Sequence, residues 1–193
     1  MILLLVLISL PFLATVLVRT ISGTSQPDER NVIVKHGCVI GLPPGAFLGV
    51  LNLFGNVIPV PAGLEAIVDR VFAPFVLGLA LLAFSVSGYR TSRLTGHLRA
   101  AALAGLLTAV FVFFLFGLSF VIIDMVFFDV VRQQPEKLFN FAHSGYTDMR
   151  TYLFDSTVRG AIVMTLVGGP LGAIFGGIGA LVGNRKLLRR RMA

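Results

Sequence analysis

Asp124 closes a run of 23 residues, Ala101 to Ile123, that carries no charge. A carboxylate inside hydrocarbon is expensive, and its default reading is functional, as a proton or cation site. Asn52 and Asn56, four residues apart in the charge-free stretch Cys38 to Gly63, supply further polar ligands. If that stretch reaches the level of Asp124, then Asn52, Asn56 and Asp124 form a candidate polar or ion site. The competing reading places Asp124 at the membrane interface, accepting a hydrogen bond from a nearby donor, because the apolar run before it already suffices to cross ~30 Å of hydrocarbon. Asp129 and Asp155 extend the acids beyond it, but nothing in their spacing requires a carboxylate cluster.

Motifs for other chemistry are absent from the sequence. No Gly-Lys pair occurs, so there is no Walker A loop, and there is no HExxH. The single cysteine, Cys38, excludes a two-cysteine metal or redox motif and says nothing of redox compartment. His36, His97 and His143 all fall in segments read as connections, which disfavours a haem held between spans and a zinc site. No catalytic residue, cofactor or metal is therefore expected, and an enzyme ranks third among the function classes.

The elements that must position these residues follow from composition. Of the 193 residues 56% are hydrophobic and 13% charged, and the mean hydropathy is +0.90. A soluble domain carries about 25% charged residues, and a particle this small cannot hide so much apolar area from water. The chain reads as an all-α, polytopic integral membrane protein, a single transmembrane domain with about four transmembrane helices.

The spans are expected at 1–18, 71–88, 101–123 and 160–183. The first has no basic n-region before Arg19, so it reads as a retained span rather than a signal peptide. Leu64 to Phe75 has helical apolar spacing and reads as an amphipathic lead-in to the second. Pro43-Pro44 opens, and Pro59, Pro61 and Gly63 close, a shorter piece at 45–58. This piece reads as a proline-flanked re-entrant or interfacial half-helix, with Gly45, Gly49, Asn52 and Asn56 on one face. If it crosses instead, there are five spans and an external N-terminus.

The basic excess, 16 Lys+Arg against 9 Asp+Glu, is explained by position. Arg90, Arg93 and Arg99 lie in one acid-free segment, and Arg185, Lys186, Arg189, Arg190 and Arg191 in another. The positive-inside rule puts both on the cytoplasmic side, with the C-terminus. Contact with lipid headgroups explains them further, and no nucleic-acid partner is expected. A bacterial inner (plasma) membrane is the default location.

Gly169, Gly172, Gly176, Gly179 and Gly183 repeat at spacings of three and four along the last span. Lipid gives no hydrophobic drive for helix pairing, so such a face is expected to pack closely on another helix, in this chain or in a partner. The Ala101, Ala104, Gly105 and Ala109 side of the preceding span is the internal candidate. The loop 124–159 is expected outside, with two short amphipathic helices whose aromatics sit at headgroup level or dock a partner.

Two functions are expected to compete. One is a structural or accessory subunit of a larger membrane assembly, docking other membrane protein chains through the glycine face and the aromatic loop. The other is a small transporter or channel with its site at 45–58 and Asp124, since such sites are often built on broken helices.

Overall fold

The computed structural model describes residues 27–57 and 65–191, apart from the side chains at 57, 65–69 and 184–191. Every element among these residues is helical: α1 (Pro27–Val57), α2 (Glu65–Thr95), α3 (Leu98–Val126), α4 (Phe128–Val131), α5 (Pro135–Ala142) and α6 (Met149–Arg191). α1, α2, α3 and α6 are each long and apolar enough to cross a membrane. The expected span at 1–18 lies outside the described residues.

α1 starts where its chemistry permits. Pro27 lacks the N–H that a first turn cannot use, and Asp28 and Glu29 oppose the positive end of the helix dipole. α2 and α3 are joined by Gly96-His97, and Gly96 has a φ of +73°, a conformation that glycine adopts without penalty. This turn reverses the chain. Glu29 at the start of α1 lies 3.2 Å from His97, so α1 begins at the same end of the bundle, here the turn end. α1, α2, α3 and α6 then alternate in direction. The loop end, opposite, holds α4 and α5.

α3 and α2 pack on each other and each packs on both α1 and α6, which sit on opposite flanks. The core between α1, α2 and α3 is Leu48, Ala80, Ala83, Phe84, Ala109, Val112 and Phe116. Phe84 and Phe113 meet there with ring centres 6.0 Å apart. At the loop end a second cluster, Ile123, Val131 and Leu153, ties α4 to α3 and α6. Large apolar residues cover the outside as well: Phe47, Phe54, Phe75, Leu82 and Leu166 are all exposed. This is the surface of a bundle solvated by lipid tails.

Several expected boundaries move. The piece 45–58 is not a separate half-helix: α1 runs without interruption from Pro27, with Pro43 and Pro44 inside it. A proline removes one backbone bond and crowds the preceding turn, but spans tolerate this where neighbouring helices hold the segment. Gly41 and Gly45, on either side of the pair, lie against α3. The lead-in before the second span is continuous with it as α2. α3 continues to Val126 and α6 begins at Met149, so the loop expected at 124–159 contracts to the residues between them. The second expected surface helix is the first part of α6.

Candidate helix-packing seams and intramembrane polar site

The α6 glycines face inward. A Cβ built on Gly172 would lie 2.5 Å from both Ala109 Cβ and the Gly105 carbonyl oxygen, and one on Gly176 would lie 2.6 Å from the Ala101 oxygen. A Cβ on Gly179 would run into the backbone of Ser85 and Tyr89 on α2, and one on Gly183 would lie 2.5 Å from Ser92 Oγ. The contact is reciprocal, because Gly88 on α2 and Gly105 on α3 are themselves closed in by the α6 backbone at Gly172 and Gly176. Gly169 departs from the pattern: a Cβ there would meet nothing within 4 Å, while its neighbour Gly168 sits against the Phe113 ring. Gly172, Gly176, Gly179 and Gly183 thus pack on α2 and α3 of the same chain.

A second seam lies on the opposite side of α3. Gly37, Gly41, Gly45 and Gly49 of α1 follow one another against Leu107, Thr108, Phe111, Val112 and Leu115. Taking Pro43-Pro44 as a break starts this stripe at Gly45. The spacing of four that continues back through Gly41 and Gly37 was the available signal.

Asn52 extends this seam toward the loop end. It is 1% exposed, and its amide donates to Ser119 Oγ on α3 at 2.9 Å. Ser119 in turn donates to the Phe116 carbonyl, and Asn56 donates to the Asn52 backbone oxygen at 2.9 Å and side-chain oxygen at 3.1 Å. Asp124 is also buried, at 5% exposed, but its partner is the Thr157 hydroxyl of α6, which donates to it. The expected three-residue site is therefore divided. Asn52 belongs to the α1–α3 seam with Asn56 bonded to it along α1, and Asp124 belongs to the α3–α6 seam. Each group answers to a different neighbour, which suits polar clasps between helices more directly than one coordination sphere. Among the described residues no group of histidine, cysteine and acidic side chains could hold a metal ion.

Toward the turn end, His36 of α1 and Thr91 of α2 are joined at 2.9 Å between Nδ1 and Oγ1. His36 is thus part of a membrane-spanning helix, not of a connection. Ser87, one turn earlier on α2, is buried without a hydrogen-bond partner. The exposed Arg90, Arg93 and Arg99 ring this end, with Arg93 stacked over Tyr89 at 5.8 Å. Arg185, Lys186, Arg189, Arg190 and Arg191 follow at the end of α6, and their side chains lie outside the described residues.

The loop end is built differently. Arg150 and Arg132 both lie over the Phe128 ring, at 4.8 Å and 5.7 Å. Arg132 also pairs with Asp129 at 3.1 Å. Tyr146 donates to Asp155, which Arg159 contacts at 2.7 Å. That hydrogen bond holds the Tyr146 hydroxyl above its usual pKa range. Asp148 caps α6, accepting from the Thr151 hydroxyl at 2.6 Å and N–H at 2.7 Å, which lowers its carboxyl below the usual range.

Comparison of the chain with protein-family models, with curated proteins and with solved structures finds no match.

Proposed function

We propose that this chain is a structural or accessory subunit of a larger membrane protein assembly, and that it docks other membrane chains through its loop end. The observation that carries the reading is a contrast in use. Glycines at both seams face α3 or α2, whereas Phe128 with Arg150 and Arg132 forms an aromatic and cationic platform at the surface. Arginine and aromatic side chains are the types that dominate protein interfaces. The basic turn end and the C-terminus take the cytoplasmic side by the positive-inside rule, by default of a bacterial inner membrane. With α1 crossing, a span at 1–18 would make five and leave the N-terminus outside.

Native mass spectrometry after gentle detergent extraction tests this. Defined partner chains should co-purify with the unaltered protein and be lost from Arg150→Glu or Phe128→Ala variants that keep their helical bundle. A partner-free protein, or partners retained by both variants, would count against the reading.

A small transporter or channel is the second reading, favoured by one observation: Asp124 is buried among spans with a single hydroxyl as its partner. It requires Asp124→Asn to abolish a cation or proton flux in proteoliposomes while the fold persists.

A further inference from the structure

α5 is an amphipathic helix without a buried residue. Its inner contact is Phe141, whose ring centre lies 5.7 Å from that of Tyr152 in the first turn of α6. On the opposite side of its apolar arc Phe139 stacks on the His143 ring, centres 4.5 Å apart, yet Leu138 stays 50% and Phe139 65% exposed. Glu136, Lys137 and Asn140 fall on the remaining face by helical spacing. In water such an exposed pair would be a liability.

The level at which α5 sits identifies what covers it. Tyr152 packs against the cluster of Ile123, Val131 and Leu153, which joins the last turn of α3 to the first turns of α6. α5 is thus held beside the ends of two spans. At that same level Ile122, Met125 and Val126 are exposed on α3, and Val130 is exposed on α4. Leu138 and Phe139 add exposed apolar side chains at this same end of the bundle. Glu136 and Lys137 offset each other in charge, so α5 itself offers no cationic patch for anionic headgroups.

We infer that α5 is a membrane-interface helix whose Leu138–Phe139 face is covered by lipid at the boundary between headgroups and acyl chains. Short amphipathic helices bind there through buried apolar area. The platform around Phe128 uses other residues, so this inference stands independently of partner docking.

The chain has no tryptophan, so Phe139→Trp introduces a single fluorescent reporter. The full-length variant is reconstituted into phosphatidylcholine vesicles carrying bromine at defined acyl-chain depths. Indole emission from the Phe139→Trp variant should be quenched most by bromine nearest the headgroup, less by bromine near the chain end, and little by aqueous acrylamide. Leu166→Trp, midway along α6 and exposed to lipid, should report the deeper bromine instead. Asn140→Trp, on the polar face, should answer to acrylamide. Strong acrylamide quenching at position 139 without bromolipid quenching would mean a face in water and would overturn the inference. Quenching by neither would mean that a second copy or another protein covers the face, which also overturns it. If Phe139→Trp does not fold, Leu138→Trp reads the same face.

Discussion

On both sides of α3 glycine meets mostly backbone, but the approach is closer on the α6 side than at Gly41, Gly45 and Gly49 on the α1 side. Gly172 and Gly176 approach carbonyl groups of Gly105 and Ala101 so closely that a methyl group has no place to go. Gly37, by contrast, abuts the Leu107 side chain, and Gly41, Gly45 and Gly49 leave a Cβ 3.0 to 3.2 Å from its nearest atom. Two stripes with similar spacing therefore do unlike work. The α6 seam leaves no room for a methyl group at Gly172 and Gly176, whereas at Gly41, Gly45 and Gly49 the α1 seam needs α3 to give by only a few tenths of an ångström. Their polar clasps differ as well: a carboxylate and a hydroxyl on the α6 side, an amide and a hydroxyl on the α1 side.

The largest effect is expected from Gly176→Ala. Overpacking against fixed backbone should cost about 3 kcal/mol, against about 1 kcal/mol returned by the helix preference of alanine. Thermal unfolding in detergent should show a lowered Tm, and an unchanged Tm would break the distinction between the seams. Thr157→Val comes next. It leaves the Asp124 carboxylate buried without its donor, for about 1.5 kcal/mol, below the net of about 2 kcal/mol at Gly176. The clasp on the other side is weaker, and a double-mutant cycle on Asn52 and Ser119 should give a coupling of about 0.6 kcal/mol. A coupling larger than the Thr157 loss would reverse the order of the two clasps.

Gly45→Ala probes the adjustable seam directly. A shift of a few tenths of an ångström in the α3 backbone at Phe111 and Val112 and in the Leu115 side chain, set against the gain in helix preference, should leave a change within about 1 kcal/mol. A loss as large as that of Gly176→Ala would show the seams to be equivalent. The smallest effect concerns the start of α6. Asp148 has its pKa lowered in the folded protein, so its contribution is present above the unfolded value, near about 4, and is lost as pH falls through the lower folded value. The Tm difference between the unaltered protein and Asp148→Asn should therefore be larger at about pH 7 than at about pH 2.5. An equal difference at both pH values would remove the cap from the account of how α6 begins.

Much of the architecture was legible because hydrocarbon imposes simple demands. Charge-free runs located α2, α3 and α6, since each must satisfy its own backbone in lipid. The α6 glycine repeat was visible for the same reason: glycine in a helix is costly unless something approaches closely. At Pro43-Pro44 local rules predict a break, yet α1 runs through it. The bracing of that stretch by α3 is a long-range fact that no local pattern contains. Asn52, Asn56 and Asp124 were individually conspicuous as polar residues among apolar ones. Their grouping into one site was not legible, because it depends on which side of α3 each one faces.

The sequence by itself determined that this chain lives in a bilayer, that its helices are long, and which helix faces are small enough for close approach. Those properties are sums over local composition and periodicity. Only the tertiary structure decided that α6 spends its glycines on α2 and α3, and that α1 is continuous through two prolines. It also assigned Asp124 to Thr157 and Asn52 to Ser119. The physical reason is common to all four: a small or polar face specifies that it needs a partner, and the rotation and register of packed helices select which one.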